Sequence, residues 1–292
     1  MRLDVALVER GLARSRGHAS ELIDAQRVLV AGKPARKASQ EVADEIQISV
    51  AAAEEYVSRA GLKLAKALDA FSGLEISGRR ALDVGASTGG FTDVLLRRGA
   101  RSVIALDVGH DQLVDEIRND ARVTVLEGFN ARELTPQSLA QAVAALDEAA
   151  GNTAAVATAA VAKPAEGAGE SVLEVDLIVA DLSFISLTLV LEQLKLVAPR
   201  ADMVLLIKPQ FEVGKQSLNA SGIVNDWSLR AKAIHQVIDC AQDLGLGIRE
   251  IVRSELPGTH GNIEYVLWIS SDEPVNRSKW SDKIEVLAKE QR

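Results

Sequence analysis

Apolar positions along this chain recur with two different periods. Short, nearly continuous apolar runs bounded by Gly, Pro or charged residues read as buried strands over 79–84, 103–106, 123–126, 177–180, 204–207, 248–252 and 265–269. Segments with helical spacing lie between them, over 60–71, 111–118, 136–147, 187–198 and 229–244. Strands alternating with helices predict an α/β fold, a doubly wound, Rossmann-like sheet of seven mostly parallel strands. The first 50 residues follow a different plan. Leu3, Ala6, Leu7 and Arg10 share one helical face and Gly11 ends it, while Ser15 can cap a second helix carrying Ala19, Leu22 and Ile23. Strands at 28–30 and 46–50 flank a turn at Gly32-Lys33-Pro34, which makes residues 1–50 a small α+β domain.

Residues 51–57 read as a linker and 58–271 as the main domain. The pattern breaks at 148–171, an Ala/Gly/Glu-rich stretch expected to be a flexible surface insertion. The polar tail 272–292 is expected to carry an exposed helix over 280–291.

Charge sharpens this division. The chain of 292 residues has a net charge of −8, yet residues 1–40 hold eight Lys/Arg against four acids, leaving −12 for the remainder. An acidic protein with a small basic domain points to localised polyanion binding. Arg2, Arg14, Ser15, Arg16, Arg27, Lys33, Arg36 and Lys37 are the candidate phosphate contacts, against the alternative of an ordinary solvated surface. No aromatic residue occurs in 1–50, so base stacking is not available to this domain.

Other classes are disfavoured. A single cysteine, Cys240, excludes an intramolecular disulfide and suits a reducing cytoplasm, the expected location. Four scattered His and one Cys provide no metal-site spacing, so no metal is expected. Asp4, Glu9 and Arg10 stand where a signal peptide needs an apolar core, and no run reaches the roughly 18 uncharged residues of a membrane span.

Candidate chemistry collects at strand ends. The stretch Ala81-Leu-Asp-Val-Gly-Ala-Ser-Thr-Gly-Gly-Phe91 is a strand, a glycine-rich turn and a helix start, the arrangement of a nucleotide-cofactor cradle. Asp83 within it would repel a pyrophosphate but suits a ligand with a cationic centre and ribose hydroxyls. Asp107 ends the second strand 24 residues later, near the spacing of a ribose-binding acid; a helix cap for 111–118 is the alternative. Asp181 and Lys208 each follow an apolar strand, where doubly wound sheets place their ligands. Glu264 opens another apolar strand and needs a partner, with Lys208 and Lys63 as candidates. Lys63 by itself reads as a solvated charge, alongside Arg59 and Lys66 on the helix before the fold.

Together these stretches resemble the TlyA family, proteins named both as haemolysins and as ribosomal RNA 2′-O-methyltransferases. The resemblance rests on Leu12-Ala-Arg-Ser-Arg16, Tyr56-Val-Ser-Arg59, the 82–93 stretch, Asp181-Leu-Ser-Phe-Ile-Ser186, Ile207-Lys-Pro-Gln-Phe-Glu-Val-Gly214 and Gly222-Ile-Val224. It implies an N-terminal S-four-like RNA-binding domain and an FtsJ-like methyltransferase domain using S-adenosyl-L-methionine. It further implies a catalytic tetrad on Lys63, Asp181, Lys208 and Glu264. Cofactor contacts would fall on Asp83, Gly85, Ala86, Ser87, Gly89, Gly90, Phe91, Asp107, Val108, Asn130 and Asp181. In that reading Lys208, with Lys63 nearby, is the base for a ribose 2′-hydroxyl, Asp181 orients it and Glu264 fixes the Lys pair. The substrate implied is ribosomal RNA or a ribosomal subunit, with a cytidine as the modified nucleotide. Arg59 joins the RNA contacts, and a monomer is expected. Gln26, Asp115 and Asn225 depart from the family pattern. A catalytically idle RNA-binding assembly protein and a membrane-active haemolysin are the rival readings.

Overall fold

A computed structural model describes residues 1–13, 15–24, 27–50, 56–149, 173–258 and 260–290. The chain forms two compact units, 1–55 and 56–292. Arg14, Gln26, most of the segment read as a linker and most of the segment read as an insertion lie outside the described residues.

The first unit packs helices α1 (Leu3–Glu9) and α2 (Arg16–Asp24) on a three-stranded antiparallel sheet ordered β2-β1-β3, with β1 Val28–Val30, β2 Lys33–Pro34 and β3 Ile48–Val50. Leu3, Leu7, Ala19, Leu22, Ile23 and Val28 form its core, so the helical faces read from the sequence are the buried ones. Lys33 and Pro34, read as turn residues, are instead a short edge strand.

The second unit is built on a seven-stranded sheet ordered β6-β5-β4-β7-β8-β10-β9. Its strands are β4 Arg80–Val84, β5 Ser102–Leu106, β6 Val123–Leu126, β7 Leu177–Ala180, β8 Asp202–Ile207, β9 Gly247–Arg253 and β10 Tyr265–Ser270. The five strands from β6 to β8 pair in parallel, whereas β10 runs antiparallel between β8 and β9. Among the described residues the α-helices are α3 Arg59–Ala70, α4 Gly90–Arg97, α5 Asp115–Arg118, α6 Pro136–Ala149, α7 Leu191–Val197, α8 Pro209–Glu212, α9 Trp227–Asp243 and α10 Ser281–Lys289. One core cluster joins α3 and α4 to one sheet face, and another joins α7, α9 and α10 to the other. Covering both faces is what allows strands such as Leu177-Ile-Val-Ala180 to be apolar at every position.

Three expectations are corrected here. The helix read over 111–118 is a single turn, α5, because Gly109 and the left-handed Asp111 hold the preceding chain in a loop. The tail is not an exposed helix: Trp280, Ile284 and Ala288 sink into the core beside α9. Helix α6 also continues through Ala149, two residues into the segment read as an insertion.

Candidate active site

Strand order reverses at β4, whose neighbours β5 and β7 lead away in opposite directions, so a crevice opens above the carboxyl ends of β4 and β7. The glycine turn fills one side of it. Gly85 and Gly89 adopt left-handed backbone, with φ 87° and 93°. A Cβ on Gly85 would lie 2.8 Å from the Asp181 carbonyl oxygen, so the turn and the end of β7 approach as closely as only glycine permits. Gly90 packs against Gly61 and Ser58, which brings the start of α3 to the start of α4. Asp93 reinforces that contact by accepting a hydrogen bond from the Val57 N–H at 2.9 Å. Tyr56 and Val57, read as the end of the linker, therefore belong with the second unit.

A cavity over this crevice is lined by Ser58, Gly85, Ser87, Gly90, Phe91, Asp181, Ser183 and Lys208, among others. One carboxylate, Asp181, lines it, and Asp83 and Asp107 lie near enough for the three to act on one another by charge. Asp83 is fully buried at the end of β4, where Thr92 Oγ1 donates to its Oδ2 at 2.6 Å while Oδ1 has no partner among the described residues. Burial, relieved in part by Thr92 and reinforced by the charges of Asp181 and Asp107, pushes its carboxyl up to about 7. Asp107 accepts from the Ser87 N–H at 2.8 Å and the Gly109 N–H at 2.7 Å, so it ties the β5 loop to the glycine turn rather than capping α5. Val108 is exposed beside it. Ala86 and Phe91 are buried beneath the turn. Asn130 spends its amide locally, accepting from the Arg132 N–H and donating to Glu133, and so caps a short turn after β6.

The four tetrad residues come together as two ion pairs. Lys208, just beyond β8, places Nζ 2.5 Å from Asp181 Oδ1 and donates to Ser183 Oγ at 2.9 Å. Lys63, on α3, donates to Glu264 Oε2 at 2.6 Å. The partner of Glu264 is thus Lys63, and each ammonium has its own carboxylate, so Glu264 does not bridge a lysine pair. Lys63 is only 8% exposed and Glu264 2%, so Lys63 does not sit on a solvated helix face. Glu264 reaches this edge because β10 runs antiparallel: its first residue, Tyr265, pairs with Ile207, the last of β8. The absence of a side chain on Gly258 leaves room for Glu264 Oε1.

Three residues of this site were not singled out from the sequence. Ser183 holds Lys208, and Ser58 lines the cavity with a buried hydroxyl that has no partner among the described residues. Phe184 is 92% exposed, adopts φ 65° and lies against Phe211, whose ring faces Lys208. Ser183 and Phe184 lie two and three residues after Asp181, inside the 181–186 stretch that carries the resemblance, and the bend of the chain is what gives each a place at the site.

In the first unit the candidate RNA contacts divide. Arg2 and Arg16 both grip Asp4, and Ser15 Oγ accepts from the His18 N–H as a helix cap. Lys33, Arg36 and Lys37 are exposed along β2 and the loop after it, and Arg27 is half-buried. Arg10 is spent on the carbonyls of Ile46, Ala43 and Asp44. Arg59 is exposed in the first turn of α3, in the second unit.

Comparison with known proteins agrees with this geometry. Residues 56–271 match the model of the FtsJ-like methyltransferases and residues 1–45 that of the S4 domain. The chain is 47% identical to the 16S/23S rRNA (cytidine-2′-O)-methyltransferase TlyA of Mycobacterium tuberculosis strain H37Rv over 271 residues, 92% of this chain and 89% of that protein. It is 37% identical to Hemolysin A of Brachyspira hyodysenteriae, covering 91% of this chain and 98% of the relative. A solved structure described as a hemolysin from Streptococcus thermophilus matches with a TM-score of 0.66 at 32% identity, over 99% of this chain and 94% of that one.

Proposed function

This chain belongs to the FtsJ-like methyltransferase family, with an S4 domain ahead of the catalytic unit, and from that premise we propose that it methylates the ribose 2′-hydroxyl of ribosomal RNA, at a cytidine, using S-adenosyl-L-methionine. The observation that carries the reading is that one cavity is lined both by the glycine turn and by the Lys208–Asp181 pair. A ligand cradle and an acid–base pair within one cavity can bring a bound cofactor and an incoming hydroxyl into contact.

The cavity suits that cofactor. It combines a glycine cradle that a Cβ would fill, a Ser58 hydroxyl unpartnered among the described residues, and three nearby carboxylates. The last of these would repel an anionic ligand and favour a cationic one. When bound, the cofactor supplies a methyl group activated by a positively charged sulfonium. Ser58 and the backbone of 85–90 would hold its methionine end, Asp107 its ribose hydroxyls and Val108 its adenine. Asp83, whose carboxyl burial raises to about 7, would be shifted towards its ionised form by a cationic ligand in the cavity.

Lys208, once it has given up its own proton to solvent, takes the proton of the 2′-hydroxyl as the oxygen attacks, and Asp181 Oδ1 steadies the ammonium that re-forms. Ser183 fixes the lysine from a second direction. Lys63 and Glu264 form a second, buried pair of matched charge, with Glu264 just before Tyr265, the strand partner of the residue preceding Lys208. Phe184, exposed beside Phe211, offers its face to an unstacked base, the device the first unit lacks. Lys208→Ala tests the reading. Transfer of a labelled methyl group to ribosomal RNA should fall at least a hundredfold, while calorimetry shows the cofactor still binding. Retained transfer by the folded variant removes Lys208 from the mechanism.

A further inference from the structure

The first unit contains an acid that simple electrostatics would not place in a domain for polyanions. Asp4 is 3% exposed, and both its oxygens are fully used. Arg2 grips it with two bonds, Nε to Oδ1 at 3.0 Å and Nη2 to Oδ2 at 3.1 Å. Arg16 donates to the same Oδ2 through Nε at 3.1 Å and Nη2 at 2.9 Å. The Val5 N–H completes the set at Oδ1, 3.1 Å away. The two arginine side chains stay 50% and 63% exposed, and neither Nη1 has a partner among the described residues. Both guanidinium planes are therefore anchored on one carboxylate, with their remaining donors free on the surface.

Resting on the reading that this unit binds RNA, we propose that Asp4 is a positioning residue that fixes Arg2 and Arg16 as one clasp for a backbone phosphodiester. Two facts make the clasp more than a surface ion pair. Arg2 precedes α1 and Arg16 opens α2, so a single buried acid sets the relative place of two helix starts. A free arginine also loses side-chain entropy when it grips a phosphate. Arginines already held by Asp4 have paid much of that before the RNA arrives, and each keeps N–H donors in the planar geometry that suits phosphate. The two arginines against one acid still leave a surplus positive charge. Asp4 itself, flanked by two guanidiniums, is held well below the usual carboxylate range, so the clasp does not dissolve in mild acid.

The test exploits a conflict of sign. Asp4→Asn removes a negative charge, so bulk electrostatics predicts tighter RNA binding, whereas loss of positioning predicts weaker binding. Binding of the full chain to transcribed ribosomal RNA is measured across a salt series, with methyl transfer kinetics in parallel. The expected result is a roughly tenfold weaker Kd for Asp4→Asn, appearing in KM for RNA rather than in kcat. Arg16→Lys keeps the charge but loses the two-point grip, and should weaken binding to a similar degree. If Asp4→Asn folds and binds as tightly as wild type or tighter, the proposal is overturned. If Asp4→Asn does not fold, Arg16→Lys decides, and wild-type affinity in that variant overturns it. Failure of the wild-type protein to bind the RNA at all would instead remove the RNA-binding reading of the first unit.

Discussion

Replacing Glu264 by alanine leaves the Lys63 ammonium without its counter-ion inside the protein. At 2.6 Å, two unit charges attract by about 6 kcal/mol in a medium of effective dielectric constant near 20. Desolvation of the two ions costs several kcal/mol each, so the intact pair contributes little net stability. Removing one partner cancels the attraction and keeps the other's desolvation, a loss of about 3–5 kcal/mol. The penalty has a ceiling, because an ordinary lysine can be neutralised at pH 7 for about 4.6 kcal/mol and at pH 9 for about 2 kcal/mol. The deficit of Glu264→Ala should therefore narrow as pH rises. A unit of this size loses about 2–4 °C in Tm per kcal/mol, so the melting point at pH 7 should fall on the order of 10 °C. All three tryptophans, Trp227, Trp268 and Trp280, lie in the second unit, so fluorescence-detected urea and thermal unfolding reads that unit alone. The double variant Lys63→Met with Glu264→Leu replaces the pair by apolar groups of similar volume, and should recover most of the stability without recovering methyl transfer. A loss below about 1 kcal/mol in Glu264→Ala, or a double variant no more stable than the single one, would refute the reasoning.

Two further outcomes follow from the same geometry. Asp83 has a folded-state pKa raised from 3.8 to about 7, so the folded form holds a proton that the unfolded chain releases above about pH 4. Its contribution to stability is full in acid, declines as pH rises, and is lost above about pH 7. Asp83→Asn should be more stable than wild type at pH 8 by up to roughly 4 kcal/mol, with the gap closing near pH 4, as measured by urea unfolding; a gap independent of pH contradicts this. Phe184→Ala should lower kcat/KM for RNA roughly tenfold to a hundredfold, the usual worth of a base–aromatic stack, while calorimetry shows cofactor affinity unchanged. Phe184→Gly should show the same RNA defect without loss of stability, because φ 65° is strained for phenylalanine and free for glycine. Wild-type RNA turnover in either variant excludes the platform.

Strand and helix order were legible because each element buries a continuous or periodic apolar set. Leu177-Ile-Val-Ala180 has no reading but a strand covered on both faces, and the glycine turn after β4 declares close approach by its composition. Asp83, Asp181 and Lys208 could be placed at one sheet edge because parallel strands all end on that side. The sequence could not say which partner Glu264 takes, since that depends on β10 reversing direction and pairing Tyr265 with Ile207. Residue type and spacing alone did not distinguish Lys63 from its exposed neighbour Lys66, and only the family resemblance picked it out: both lie on α3, three residues apart, and the packing of α3 against the rest of the unit buries one of them. The same holds for Arg2 and Arg16. Their charge was countable, but their shared grip on Asp4 arises from two helix starts meeting in space. Local chain chemistry determined the elements, their order and the sheet edge that carries the chemistry. Long-range packing decided which charges pair, because pairing depends on distance and burial that no single segment possesses.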